Sequence, residues 1–170
     1  NQYYLLLQAG SYLPDDKRFM LLNKLLHERL TQIKEHLFRL LGLIFDPNDL
    51  YMAFQGYQSA NEENRAAALE LLDNLLKGKW RLLIMNILDP VSDDKSIATG
   101  RQNYGINIGS YTEAMNVFIE TGNIWFKAAA LLGVTPQCPA VLQDKLKEAA
   151  NDKNPLIFQT ARLTLSKSFK

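Results

Sequence analysis

The sequence predicts an all-α protein built as an α–α superhelix of irregular helical pairs. Three observations carry this. Leu, Ala, Lys, Glu, Gln and Asn dominate, and no segment sustains the strict alternation of a strand. Apolar residues return at steps of three and four over long stretches. Finally, one short motif of small residues followed by leucine recurs in similar surroundings along the chain.

The first helix predicted with clear signals follows Leu13-Pro14-Asp15-Asp16, where carboxylates face the positive end of a helix dipole. Its apolar stripe runs Phe19, Leu22, Leu26, Leu30, Ile33, Leu37, Leu40, Ile44, which gives a long helix over 15–45. Gly42 softens its end and Asp46-Pro47 stops it. Pro47-Asn48-Asp49 opens a second helix, and Glu62-Glu63-Asn64 a third that Gly78 breaks. Residues 47–76 therefore read as one helical pair. Trp80 to Leu88 reads as a further helix ended by Asp89-Pro90. Residues 91–109 read as irregular because of Gly100, Gly105 and Gly109, although Asp93-Asp94-Lys95 is a possible helix start. Two more pairs are expected over 110–133 and 138–167, and all of 1–170 is expected to form one helical-repeat domain.

Aligning the second helix of each pair exposes the recurrence. Arg65-Ala66-Ala67-Ala68-Leu69, Lys127-Ala128-Ala129-Ala130-Leu131 and Gln159-Thr160-Ala161-Arg162-Leu163 each place small residues between a polar residue and a leucine. The last two are offset by 32 residues and the first two by 62, near twice that. Small residues let helix axes approach, and leucines fill the space between layers. Such pairs bury only part of their apolar surface alone, so neighbours must stack.

The segment from Asp152 through Asn154-Pro155 to Ala161 resembles the Asp-x-x-Pro-x-Val-Arg-x-x-Ala pattern of HEAT repeats. The usual Val-Arg is not kept around Phe158-Gln159, so no role of that basic position is carried over. Leu40-Leu41-Gly42-Leu43, Asp46-Pro47-Asn48-Asp49-Leu50 and the helix Ala68 to Leu76 are together similar to a bacterial group of HEAT-containing proteins. In that group the HEAT region accompanies a transporter-like part similar to ATP/ADP carriers, and some members carry a cyclic-nucleotide-binding domain. The resemblance implies a HEAT-like superhelix on the cytosolic side of a membrane protein, acting as a regulatory or assembly segment. The matching motifs are packing motifs and bring no catalytic residues.

Chemistry is sparse. The 19 basic and 18 acidic residues leave a net charge of +1, without the excess that drives binding to phosphate backbones. His27 and His36 are nine residues apart, not the spacing of a helical metal pair. The single cysteine, Cys138, reads as a small part-buried residue near a helix start, with no histidine close by in sequence. The glycines from Gly100 to Gly109 lack the strand–glycine–helix context of a phosphate loop. No catalytic, cofactor-binding or metal-binding residue is assigned, and no cofactor is expected. No apolar run reaches the roughly 20 residues of a membrane span. The chain opens on Asn1, and the expectation is a cytoplasmic segment of a longer, transporter-like parent protein.

The expected function is a non-enzymatic scaffold for another protein or another domain of the same parent chain. Its contacts are expected on the first helices of the pairs, including Tyr51, Gln55, Tyr57, Asn116 and Glu120. The alternative is a HEAT-like DNA-binding or DNA glycosylase-type protein. Trp80, between Lys79 and Arg81, is the best basic–aromatic spot for it. Trp125 beside the Ala-rich helix is expected to pack between layers. The cations Lys17, Arg18, Lys24, Arg29, Lys34 and Arg39 read as a solvated face of the long helix.

Overall fold

A computed structural model describes residues 1–89 and 92–168, and Pro90 and Val91 therefore lie outside the described residues. Among the described residues there are ten α-helices and no strand. They are α1 (Gln2–Gly10), α2 (Met20–Leu41), α3 (Pro47–Tyr57), α4 (Glu62–Leu75), α5 (Gly78–Leu88), α6 (Asp93–Tyr104), α7 (Tyr111–Glu120), α8 (Ile124–Leu132), α9 (Ala140–Ala149) and α10 (Pro155–Ser168).

The polar turns of the sequence become helix caps. Asp46 accepts from the amides of Asn48 (2.8 Å) and Asp49 (3.3 Å), with Pro47 in the first turn of α3. Asn61 caps α4, Asn123 caps α8, and Asn154 accepts from Leu156 and Ile157 ahead of α10. Ser110 accepts from the Glu113 amide, while the Glu113 carboxylate accepts from the Gly109 amide at 2.7 Å. The two satisfy donors reciprocally at the start of α7.

Three readings of the sequence are corrected. The long helix over 15–45 is a 3₁₀ turn at Lys17–Phe19, then α2, then a turned segment that leaves the helix after Leu41. Asp16 caps the 3₁₀ turn by accepting from the Arg18 amide, which fixes a non-helical entry. Residues 93–104, expected to be irregular, form α6. Gly100 is buried inside this helix, so it serves packing rather than a turn. The chain also divides into two compact units instead of one repeat domain: residues 1–29 with 105–170, and residues 30–104.

In the first unit, α7 pairs with α8 and α9 with α10. Across the pairs, α7 also contacts α9 and α8 contacts α10, so like helices stack on like. α1 lies on α7, and the buried Gln8 side chain donates to the Ile108 carbonyl at 3.4 Å. Phe19, Phe118, Leu131, Leu142, Leu146 and Ile157 are all buried to within 2% and form the core with the small residues Ala129, Ala130 and Ala161. Two ion pairs join successive pairs, Glu120–Lys145 and Lys127–Asp152.

The second pair joins the polar residue of the Lys127-Ala-Ala-Ala-Leu motif to the first residue of the HEAT-like segment. Lys127 Nζ lies 2.7 Å from Asp152 Oδ2, and Asp152 also accepts from the Asn154 amide. The Lys127 hydrogen bond and then the Asn154 amide hold the Asp152 carboxyl below its ordinary value of 3.8. A carboxylate depressed in the folded state contributes stability above the unfolded pKa, and that stability is lost as pH falls through the folded pKa. Asp152→Asn is therefore expected to lower the melting temperature at pH 7. The gap to wild type should close progressively as the pH is taken from about 4 downward. A gap that stays constant to pH 2 contradicts this assignment.

In the second unit, α3 packs on α4 and α4 on α5. The core is Phe38, Leu41, Leu50, Ala53, Leu72, Leu76, Ile84 and Leu88. The Phe38 ring sits 5.2 Å from both Phe54 and Tyr57. α3 and α4 approach closely at small residues: a Cβ on Gly56 would lie 2.9 Å from the Ala68 Cβ and 3.0 Å from the Asn64 carbonyl oxygen. Only Ala68 of the Arg65-Ala-Ala-Ala-Leu motif is buried; Ala66 and Ala67 are exposed.

Candidate functional site

The most distinctive surface feature belongs to the second unit. Apolar residues at helical spacing on α2 (Leu37, Leu40, Leu41) continue through Ile44 and face Trp80, Leu83, Ile84 and Ile87 of α5. Leu75 and Leu76, at the end of α4, join them, and Phe45, Tyr104 and Lys77 complete the lining. The result is an open apolar groove of about 750 Å³. Its edges are not packed away: Leu40 is 58% exposed, Ile44 77% and Trp80 61%.

Why α5 leaves this face open follows from its sequence. Gly78-Lys79-Trp80-Arg81-Leu82-Leu83-Ile84-Met85-Asn86-Ile87-Leu88 is apolar around most of its circumference. One side, through Ile84 and Leu88, joins the core. The neighbouring side, through Trp80, Leu83 and Ile87, lines the groove, and Leu82 is exposed as well. A helix apolar on most sides is commonly surrounded by protein, whereas here Trp80 and Leu82 stay exposed.

Among the lining residues charge is confined to one end. Lys77 is the only charged residue of the lining and precedes α5 without a side-chain cap on that helix. Gly78 beside it has a φ of +59°, a left-handed conformation suited to glycine, and turns the chain from α4 into α5. Lys79 Nζ sits 5.6 Å over the Trp80 ring, and Arg81 is held by Asp73 through two hydrogen bonds.

The residues singled out in the sequence are dispersed by comparison. Tyr51 and Gln55 are exposed on α3. Tyr57, expected at a contact surface, is half-buried: its hydroxyl donates to the Leu88 carbonyl at 3.0 Å and Arg65 lies over its ring. Asn116 is half-buried in the first unit with its Oδ1 unpaired, and Glu120 is engaged by Lys145. Lys34, expected on a solvated face, is half-buried, and burial lowers its pKa. His27 and His36 are exposed on α2; nine residues at about 100° each put them on opposite sides of the helix.

Trp125 is 60% exposed instead of packing between layers, because α8 buries the side carrying Phe126 and Ala128 to Leu131. Cys138 is part-buried before α9, as its sequence position implied; its Sγ accepts from the Thr135 amide and lies 3.9 Å from the Tyr111 hydroxyl. Burial and then this thiol push the Tyr111 pKa up. Among the described residues no group of three or more His, Cys, Asp or Glu is placed to hold a metal ion, and no helix is long and apolar enough to cross a membrane.

Sequence reasoning missed the groove, although it had registered Leu37, Leu40 and Ile44 as part of a buried stripe and Trp80 as a candidate. The overlooked signal was excess: α2 and α5 carry apolar residues, Leu40, Trp80 and Leu82 among them, that stay exposed in the folded unit. Compared with known proteins, the chain matches no family model, no curated protein and no solved structure.

Proposed function

We propose that the protein is a non-enzymatic interaction module that receives an amphipathic helix of a partner in the groove between α2 and α5. The observation that carries this is the unpartnered apolar face made by Leu40, Ile44, Trp80, Leu83 and Ile87. Large apolar patches of this kind mark sites of association. A helix is about 10–12 Å across with its side chains. It would lie between the two walls and cover both exposed edges, with its own residues at i, i+3, i+4 and i+7 filling the groove. An acyl chain is too thin to cover Leu40, Ile44 and Trp80 together. A second copy would bring one concave groove against another.

The like-on-like stacking of α7 on α9 and α8 on α10 supports a HEAT-like arrangement in the first unit, with Lys127–Asp152 as a tie between repeats. In this reading the partner helix comes from another protein or from another domain of the same parent chain. The transporter-associated resemblance is one such context. The apolar lining around Trp80 favours this over a nucleic-acid groove, which needs cations along its length.

The test is methyl NMR of the chain titrated with amphipathic helical peptides of about 15 residues. Saturable shifts centred on Leu37, Leu40, Leu83 and Ile87 are expected. Shifts centred outside residues 30–104, or no saturable binding by any peptide, would overturn the proposal.

A further inference from the structure

The groove has an electrical direction, and this deepens the helix-docking reading on which it rests. At one end stand Lys77 and Lys79 with the first amides of α5, which receive no side-chain cap. No ion pair engages Lys77 among the described residues, whereas the nearby Arg81 is already neutralised by Asp73. At the other end α5 finishes at Leu88, where the negative end of its dipole lies. Trp80, Leu83, Ile84 and Ile87 line the groove between these ends, so it follows the α5 axis.

From this charge distribution we infer that the partner helix lies antiparallel to α5, with its C-terminal end at Lys77, and that this end carries carboxylates. The dipoles then oppose favourably at both ends: the partner's negative C-terminus meets the positive start of α5, and its positive N-terminus meets the negative end of α5. Acidic residues in the last turn weaken a free helix, because they sit at the negative end of its own dipole. The partner is therefore marked by a feature that only the bound state rewards. It would be a short amphipathic helix with Asp or Glu in its final turn, or one ending in a free carboxylate. Selection between partners would follow from the same asymmetry, since a helix with a basic last turn meets like charge at Lys77.

Three peptides with one shared apolar stripe test it: one with acids in the last turn, one neutral and amidated, and one with acids in the first turn. They are titrated into the full chain carrying Trp125→Phe, which leaves Trp80 as the only tryptophan. Affinity is expected to fall in that order, with roughly tenfold between the first and the last, and Lys77→Glu should reverse the order. Equal affinities, or preference for first-turn acids, would overturn the polarity and leave helix docking standing. Failure of all three to bind would overturn both. Saturable binding of dodecanoate with no peptide binding, or dimerisation of the chain abolished by Leu83→Glu, would give the groove to an acyl chain or to a second copy and likewise overturn both.

Discussion

Gly133→Ala is expected to destabilise the first unit by about 2–3 kcal/mol, although the change adds a single methyl group. Gly133 follows α8 with φ −80° and ψ −10°, a backbone that alanine adopts freely. The constraint is tertiary. A Cβ there would lie 2.7 Å from Phe19 Cζ, within contact of two further ring atoms, and Phe19 is only 2% exposed. The ring has no room to yield, because it also stands edge-on to Tyr111 at 6.2 Å. The unfolding transition of this unit should fall markedly, at roughly 4–8 °C per kcal/mol for a unit of this size. Phe19→Leu costs stability alone by leaving a cavity, but in the Gly133→Ala background it should recover part of the loss. The two changes would then couple by about 1 kcal/mol or more. Additive losses in thermal unfolding of the four proteins would show that the clash is relieved elsewhere.

Gly133 also illustrates what a sequence hides. Caps and turns are local chemistry, so Asp46-Pro47, Asn61, Asn123 and Asn154-Pro155 could be read directly, and each lies at the start of a helix. α1 escaped notice because Tyr3, Tyr4, Leu6, Gln8 and Ala9 are all buried. A helix enclosed on most sides has no polar face, and hence no period to detect. α6 was hidden by Gly100, whose small size suits close packing as well as a turn. The Ala-Ala-Ala motifs were visible, yet their equivalence was not established by pattern alone: Ala128 to Ala130 are all buried, whereas only Ala68 is buried of Ala66 to Ala68. The groove was the hardest element to see. The stripe through Leu37, Leu40 and Ile44 predicts burial equally well whether the covering surface belongs to this chain or to another molecule.

Trp80→Ala should weaken binding of the partner helix about 30-fold or more while leaving the fold intact. Tryptophans inside a docking surface are frequent centres of binding energy, and a loss of at least about 2 kcal/mol corresponds to that factor. The indole is 61% exposed, so truncating it removes little packing from the folded chain. Its effect on the melting temperature should remain within that of an ordinary surface change, about 0.5 kcal/mol. Leu88, eight positions along α5, supplies the contrast. It is fully buried, its carbonyl accepts from the Tyr57 hydroxyl, and Leu88→Ala should cost about 2–5 kcal/mol in stability. One helix thus separates two jobs by face. The side carrying Leu88 belongs to the core of the second unit, and the side carrying Trp80, Leu83 and Ile87 lines the groove proposed to receive another molecule. Paired thermal melts and peptide titrations of the two variants measure that separation. If Trp80→Ala lowered stability as much as Leu88→Ala does, the groove face would be part of the core, and its apolar surface would call for no partner.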